Sequence, residues 1–152
     1  EETLRMYRDP RVAVRDIPTL RMICYSYNSL LESAERLHTL IRGINTENFS
    51  VEQTDGYSKV GGGALPLQQL KTRLLSLVPE RLSAQKMEKH LRLNDPPVIA
   101  RVEKDRLMLD VRTIQEKEFQ ILFTELITKN IIQIPKIFFQ QPHVQQMQLL
   151  QF

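Results

Sequence analysis

The chain has 152 residues, 41% hydrophobic and 26% charged, which is the composition of a folded domain with its own core. Its net charge of +3 and pI near 9.1 permit a nucleic-acid partner but are too weak to demonstrate one. Cys24 is the only cysteine, which excludes an internal disulfide and favours a reducing compartment. No apolar run approaches the roughly 20 residues of a membrane span, and no signal-peptide pattern opens the sequence.

The first 24 residues predict the end of a linking helix and a connector. The sequence lacks an initiator methionine, and residues 1–8 have the pattern of a helix interior that stops at Asp9-Pro10. We therefore expect a fragment of a longer protein. Residues 11–24, interrupted by Pro18, predict a short helical turn that leads into a connector or strand.

The clearest predicted helix runs from Ser26 to Gly43. Ser29 and Glu32 have the spacing of a capping box, and Gly43 is a natural stop. Apolar residues recur at the spacing of one buried helix face, namely Leu30, Leu31, Ala34, Leu37, Ile41 and Ile44.

Alternating and apolar-rich segments predict strands in the middle of the chain. The pattern predicts a strand over Phe49–Thr54, a turn at Asp55-Gly56 that leads into a paired segment over Tyr57–Val60, and a further strand over Lys71–Val78. Ser83 is the expected N-cap of a short helix that ends at Leu93.

The last predicted elements are a hairpin and a helix. Val98–Glu103 and Arg106–Arg112 would pair around Lys104-Asp105, although a tight type I′ turn usually contains glycine. Thr113 and Glu116 predict a capping box that opens a helix to about Asn130. Its expected buried residues are Phe119, Leu122, Phe123, Leu126 and Ile127.

These elements together predict an α+β domain over residues 25–130. Strands that follow one another in sequence and pair antiparallel, with helices packed on one face of the sheet, give this class. Residues 131–152 are rich in glutamine and contain no acidic residue, so we expect a poorly ordered tail.

Gly61, Gly62 and Gly63 form a candidate cleft loop. Three successive glycines are costly to order, which suggests that the backbone lies where a side chain does not fit. Neither a P-loop nor a dinucleotide-binding fingerprint is present around them. An ordinary surface loop is the alternative interpretation.

Arg101 and Arg112 are the candidate substrate-binding residues, one on each arm of the predicted hairpin. Arg112 ends its strand just before a helix N-terminus, where backbone N–H groups also favour anions. A guanidinium suits a carboxylate, phosphate or ester oxygen. The alternative for Arg112 is a salt bridge to Asp110 or Glu116.

The sequence gives little indication that the other reactive side chains form a functional site. Lys59 could form a Schiff base, but an exposed lysine at a strand end is the favoured interpretation. The three histidines, His38, His90 and His143, are too dispersed for a metal site. Cys24 is most simply a small buried residue.

Five segments in order resemble the C-terminal part of the bacterial L-seryl-tRNA(Sec) selenium transferase (selenocysteine synthase) family. They are YRDP, IPTLRM, VGGGALP, DPPVIARV and RLMLDVRT, and the resemblance runs from Glu1 to about Asn130. It implies the small domain of a fold-type I enzyme that uses pyridoxal 5'-phosphate (PLP). It further implies conversion of seryl-tRNA(Sec) to selenocysteinyl-tRNA(Sec) with selenophosphate, through an aminoacrylate intermediate, by a cytoplasmic homo-oligomer built from dimers.

The same resemblance implies that the cofactor-binding lysine lies upstream of Glu1, so this segment alone would be inactive. It makes Arg112 the best match to the small-domain arginine that contacts substrate, here at the ester carbonyl or the terminal ribose and phosphate. Two alternatives remain open. One is a related PLP enzyme acting on a small amino or sugar acid. The other is a non-catalytic interaction or RNA-binding module, for which no RNA-binding motif is present.

Overall fold

The computed structural model describes residues 2–44, 48–60 and 68–128 and shows an α+β fold. The predicted tail, 131–152, lies outside these residues. The helices are α1 (Glu2–Met6), α2 (Pro10–Asp16), α3 (Pro18–Cys24), α4 (Tyr27–Arg42), α5 (Ala84–Arg92) and α6 (Phe119–Thr128). The strands are β1 (Phe49–Lys59), β2 (Gln69–Pro79), β3 (Arg101–Glu103) and β4 (Arg106–Asp110). No helix in the described ranges is long and apolar enough to cross a membrane.

The short helical turn predicted within residues 11–24 is confirmed by α2, but a second helix, α3, replaces the predicted connector or strand. Each begins with a proline, Pro10 or Pro18. The connector or strand was predicted wrongly because proline suits the first turn of a helix, where its fixed φ is helical and its missing N–H is not needed. The predicted stop at Asp9-Pro10 is confirmed, and the Asp9 carboxylate accepts a hydrogen bond from the Arg11 N–H at 2.9 Å.

The predicted helix after Ser26 is confirmed as α4, but its cap differs. Ser26 is the N-cap, and its Oγ accepts a hydrogen bond from the Ser29 N–H at 3.1 Å. The predicted capping box at Ser29 and Glu32 is therefore wrong by one turn. The buried face is formed by Leu30, Ala34, Leu37 and Ile41, as the apolar spacing predicts.

The four strands form one antiparallel sheet in the order β1-β2-β4-β3. The predicted turn at Asp55-Gly56 is wrong, because β1 continues through both residues and pairs with β2 along its whole length. Gly56 lies opposite Thr72, and a Cβ at Gly56 would approach Leu74 Cδ1 to 2.4 Å. The glycine therefore allows a close side-chain approach within a strand.

The β3–β4 hairpin confirms the predicted turn at Lys104-Asp105. Both turn residues have positive φ, 50° and 58°, which are the signs of a type I′ turn. The predicted capping box at Thr113 and Glu116 is wrong. Two 3₁₀ turns, Val111–Thr113 and Glu116–Glu118, precede α6, and the observed capping box joins Gln115 to Glu118.

One apolar core lies between the sheet and its helices. Residues with odd numbers in β2 and β4 point to this helix-covered face, where Leu75 lies beside Leu109 and Leu77 beside Leu107. Helices α4, α5 and α6 contribute the opposing side chains of the cluster, which are Ala34, Leu37, Ile41, Met87, Leu91, Phe119, Leu122 and Leu126. Residues with even numbers face the other side, the second face, where Thr72, Ser76 and Asp110 lie.

Candidate functional site

The ends of β1 and β4 and the start of β2 lie together at one end of the sheet. β1 ends at Lys59 and β2 begins at Gln69, directly opposite, so the segment with the glycine run joins these two strand ends. Gly61, Gly62 and Gly63 lie outside the described residues, and their role as a cleft loop stays a prediction. The RLMLDVRT segment also reaches this end, because Asp110 at the end of β4 contacts Ser58 near the end of β1.

The Asp110 carboxylate joins three segments at this end of the sheet. It accepts hydrogen bonds from Ser58 Oγ at 2.6 Å and from Thr72 Oγ1 at 2.8 Å. It also accepts one from the Arg112 backbone N–H at 3.1 Å, which caps the Val111–Thr113 turn. Ser58 and Thr72 are buried, so these hydroxyl groups are committed to the carboxylate. This network fixes the backbone from which the Arg112 side chain extends.

Arg112 is buried, with 5% of its surface exposed, and its guanidinium contacts backbone carbonyls. Nη1 donates to the Met22 oxygen at 2.8 Å, with longer contacts to the oxygens of Ile23 at 3.4 Å and Tyr25 at 3.3 Å. Nη2 donates to the Lys71 oxygen at 2.7 Å. Arg112 therefore connects β2 to the junction between α3 and α4.

The buried environment of Arg112 disfavours the charged form of its guanidinium, compared with the environment of an arginine on the surface. Desolvation by burial lowers the pKa of Arg112, while the nearby charge of Asp110 acts in the opposite direction. The buried Nε makes no hydrogen bond to a described residue. Neither side-chain salt bridge that the sequence allowed is formed, since Glu116 pairs with Arg36 and Asp110 accepts from the backbone of Arg112. These contacts favour a positioning role, and direct contact with substrate stays a prediction.

The structure does not bring Arg101 to Arg112. Arg101 lies on the edge strand β3, opposite Met108, and its guanidinium is 3.7 Å from the Glu103 carboxylate. A substrate contact by Arg101 also stays a prediction.

A second polar cluster at this end of the sheet escaped the sequence analysis. The Tyr27 hydroxyl donates to Asp55 Oδ1, and Arg73 Nη1 lies 2.7 Å from the same oxygen. Lys71 Nζ lies 4.2 Å from the centre of the Tyr27 ring and 3.8 Å from Asp55 Oδ2. The cluster ties the N-terminus of α4 to β1 and β2. This cluster was missed because a turn was expected at Asp55-Gly56, and only a continuous β1 places Asp55 opposite Arg73.

The Tyr27–Asp55 hydrogen bond shifts the pKa of both side chains. It lowers the pKa of Asp55, with a smaller contribution from the hydrogen bond of Arg73. The same bond raises the pKa of Tyr27, because it favours the neutral phenol beside a carboxylate. Both side chains thus keep their ordinary charge states near neutral pH.

A shallow cavity lies between α4 and the two 3₁₀ turns. Its walls include Tyr25, Ser29, Leu30, Val111 and Glu116, and the Arg36–Glu116 ion pair lies at its edge. No lysine lines it among the residues that the structure describes. The cavity therefore does not fit PLP, which enzymes hold through a Schiff-base lysine.

The remaining reactive residues lie apart. Lys59 is exposed at the end of β1, and Cys24 is exposed, contrary to the expected burial. His38 is half-buried with Nε2 3.4 Å from the Val51 carbonyl oxygen, and His90 is exposed on α5. His143 lies outside the described residues. Over the described ranges, no three histidine, cysteine or acidic side chains form a group that could hold a metal.

Comparisons with known proteins identify the family. Residues 1–115 match the family model described as L-seryl-tRNA selenium transferase (SelA). Proteins named L-seryl-tRNA(Sec) selenium transferase are 44% identical in Geotalea daltonii and 40% identical in Geobacter metallireducens, each over 126 residues and 83% of this chain. One from Clostridium botulinum (strain 657) is 37% identical over 125 residues, or 82% of the chain. The matched part is 27% of the length of each of these relatives. The chain belongs to the L-seryl-tRNA selenium transferase family.

Proposed function

We propose that this chain is the C-terminal small domain of a PLP-dependent selenocysteine synthase. The enzyme would convert L-seryl-tRNA(Sec) to L-selenocysteinyl-tRNA(Sec) with selenophosphate as the selenium donor. The observation that carries the proposal is the family match over residues 1–115, together with relatives that bear this name at 37–44% identity. An α+β domain with an antiparallel sheet suits the small domain of a fold-type I PLP enzyme.

We propose that the cofactor is held by a part of the enzyme outside this chain. PLP would supply an electron sink for chemistry at the serine moiety. Two described lysines, Lys59 and Lys71, lie near the glycine-run end of the sheet, but both are exposed, and Lys71 is engaged by Tyr27 and Asp55. Neither lies in a pocket suited to the cofactor, which supports an upstream Schiff-base lysine.

We propose that this chain contributes a preorganised wall beside the active-site cleft. Asp110 and Arg112 fix the end of β4 against β1, β2 and the α3–α4 junction through hydrogen bonds of 2.6–3.1 Å. Such a frame would fix the ends of β1 and β2, between which the glycine run lies in sequence. Arg112 would act mainly by positioning this frame. A direct contact from Arg112 or Arg101 to the aminoacyl ester is the competing role.

The assembly is proposed on the same grounds. Family resemblance supports a cytoplasmic homo-oligomer built from dimers, without a metal cofactor or a membrane anchor. The single cysteine agrees with a reducing compartment.

The test uses the full-length protein that contains this chain. It is incubated with serine-charged tRNA(Sec) and selenophosphate, and the amino acid released from the tRNA is identified by mass spectrometry. The proposal predicts selenocysteine, and only when selenophosphate is present. Recovery of serine alone, under conditions in which the Geotalea daltonii relative yields selenocysteine, would exclude it. Free serine as substrate tests for a small-substrate enzyme, which would convert it without tRNA.

A further inference from the structure

Two segments of this protein carry a marked excess of positive charge, and residues 5–15, with four arginines and one acidic residue, are the first. Residues 81–92 contain four lysines and arginines and one acidic residue, a net charge of +3. The whole chain has the same net charge, so the other residues sum to zero. Most of the segment is α5, whose basic surface we define as Lys86, Lys89, His90 and Arg92.

The fold turns this basic surface away from the core. α5 buries Ala84, Met87 and Leu91 against the sheet, which leaves the basic side chains on the exposed side. Lys86 and Lys89 lie one turn apart, with an axial separation of about 4.5 Å. Adjacent ammonium groups on one helix side can therefore contact neighbouring phosphates of one strand.

Internal ion pairs do not account for the two lysines. Arg92 Nε lies 3.0 Å from the Glu88 carboxylate, one helical turn away. Neither Lys86 nor Lys89 forms an ion pair with a residue that the structure describes. Their charges are available to a partner.

A stabilising effect on α5 does not explain the presence of all the basic residues on this surface either. Basic residues in the last turn, here Lys89, His90 and Arg92, interact favourably with the negative end of the helix dipole. Lys86 lies in the first turn, where a cation is disfavoured, and no acidic residue offsets it there. The helix dipole therefore gives no reason for the placement of Lys86.

We propose that the basic surface of α5 binds the phosphate backbone of the tRNA substrate. The inference rests on the proposed function, which makes a polyanionic RNA the substrate. Lysine ammonium groups suit single phosphate oxygens, and such contacts set affinity and orientation independently of sequence. A protein partner is the less favoured occupant, because two neighbouring lysines, unpaired within the described residues, complement a phosphate chain more directly than a mixed protein surface.

The test compares two doubly neutralised variants of the full-length protein. K86Q/K89Q removes the two lysines without introducing a poor helix former. R11Q/K117Q removes the same charge from exposed positions on α2 and in the Glu116–Glu118 turn. The dissociation constant for tRNA(Sec) is measured by fluorescence anisotropy between 50 and 300 mM salt, about the range in which phosphate contacts dominate affinity.

The inference predicts that K86Q/K89Q weakens tRNA binding about tenfold and lowers the salt slope by about 2. R11Q/K117Q would bind as the parent protein does, and kcat at saturating seryl-tRNA would be equal in all three. Equal affinity and slope for the two variants would overturn the inference, as would an altered oligomeric state with unchanged tRNA affinity. Because binding does not require selenium transfer, this failure is distinct from failure of the proposed reaction.

Discussion

Arg112 donates a hydrogen bond from Nη2 to the backbone oxygen of Lys71 at 2.7 Å, while Nη1 of the same guanidinium donates to Met22 at 2.8 Å. One side chain thus joins the second strand to the α3–α4 junction. Lys71 is 41 residues from Arg112 in sequence, and Met22 is 90 residues away. A planar fork with several donors can satisfy carbonyls on two sides at once, which a lysine cannot.

Arg112→Ala should loosen the α3–α4 junction. Removing the guanidinium leaves the carbonyls of Met22 and Lys71 without their donor, at a cost of about 3 kcal/mol in the free energy of local opening. Hydrogen exchange of peptides covering residues 18–27, followed by mass spectrometry in the full-length protein, measures this. Arg36→Ala is the control, because its ion pair with Glu116 is exposed and worth at most about 1 kcal/mol.

Arg112→Lys separates positioning from substrate contact. A positioning role predicts faster exchange at residues 18–27 together with a lower kcat/KM for seryl-tRNA, since lysine keeps the charge but not the fork. A lower kcat/KM with parental exchange would show instead that the guanidinium acts on the substrate.

Gly56→Ala should destabilise the β1–β2 pair. The new Cβ would lie 2.4 Å from Leu74 Cδ1, and Leu74 is buried, so its side chain has little space to move. We expect a loss of about 1–3 kcal/mol in the free energy of unfolding, measured by urea denaturation. In a double-mutant cycle, Leu74→Ala should remove most of the penalty. Independent, additive effects of the two substitutions would contradict the predicted clash.

Asp110→Asn should destabilise the end of β4. The carboxylate accepts from Ser58, Thr72 and the Arg112 N–H, whereas an asparagine amide has one acceptor oxygen and directs an NH₂ donor at another donor. We expect a loss of about 2 kcal/mol, measured by urea denaturation. Thr72→Val removes only one of these hydrogen bonds and should cost less. A larger loss for Thr72→Val than for Asp110→Asn would count against the network.

Tyr27→Phe should raise the pKa of Asp55 toward its ordinary value, because the Tyr27 hydrogen bond is the main cause of its lowering. The lowered pKa of Asp55 stabilises the fold above about pH 4, and this contribution is lost as pH falls through the folded pKa. The raised pKa of Tyr27 stabilises it below about pH 10, with loss as pH rises through the folded pKa. Carboxyl-carbon NMR titration of Asp55 checks the shift. Tyr7→Phe, at an exposed position just after α1, should leave it unchanged.

Local sequence patterns were sufficient to predict the helices and strands whose apolar periodicity matches their buried face. α4, β2 and α5 have apolar spacing that matches their buried faces, and the caps at Ser83 and near Gly43 follow from residue type. The prediction of a turn at Asp55-Gly56 was wrong because it rested on two residues alone. Pairing of β1 with β2 along 11 residues outweighs their local preference for a turn. Pro18 was taken as a breaker, although in this context it opens a helix.

The candidate site was only partly predictable. Arg112 was identified from its place at the end of a strand, but its partners are backbone carbonyls that no residue type encodes. The same holds for Asp110, whose hydroxyl donors come from two other strands. Contacts between segments far apart in sequence depend on the register of the sheet, which local patterns did not determine.

The central claim is that this chain serves as the small domain of a selenocysteine synthase. The most direct measurement replaces the matching 126 residues of the Geotalea daltonii relative with this chain and measures selenocysteinyl-tRNA(Sec) formation. The account predicts that the chimera forms selenocysteinyl-tRNA(Sec), and that Arg112→Lys in the chimera lowers kcat/KM. A folded chimera that binds PLP but yields only seryl-tRNA would contradict it.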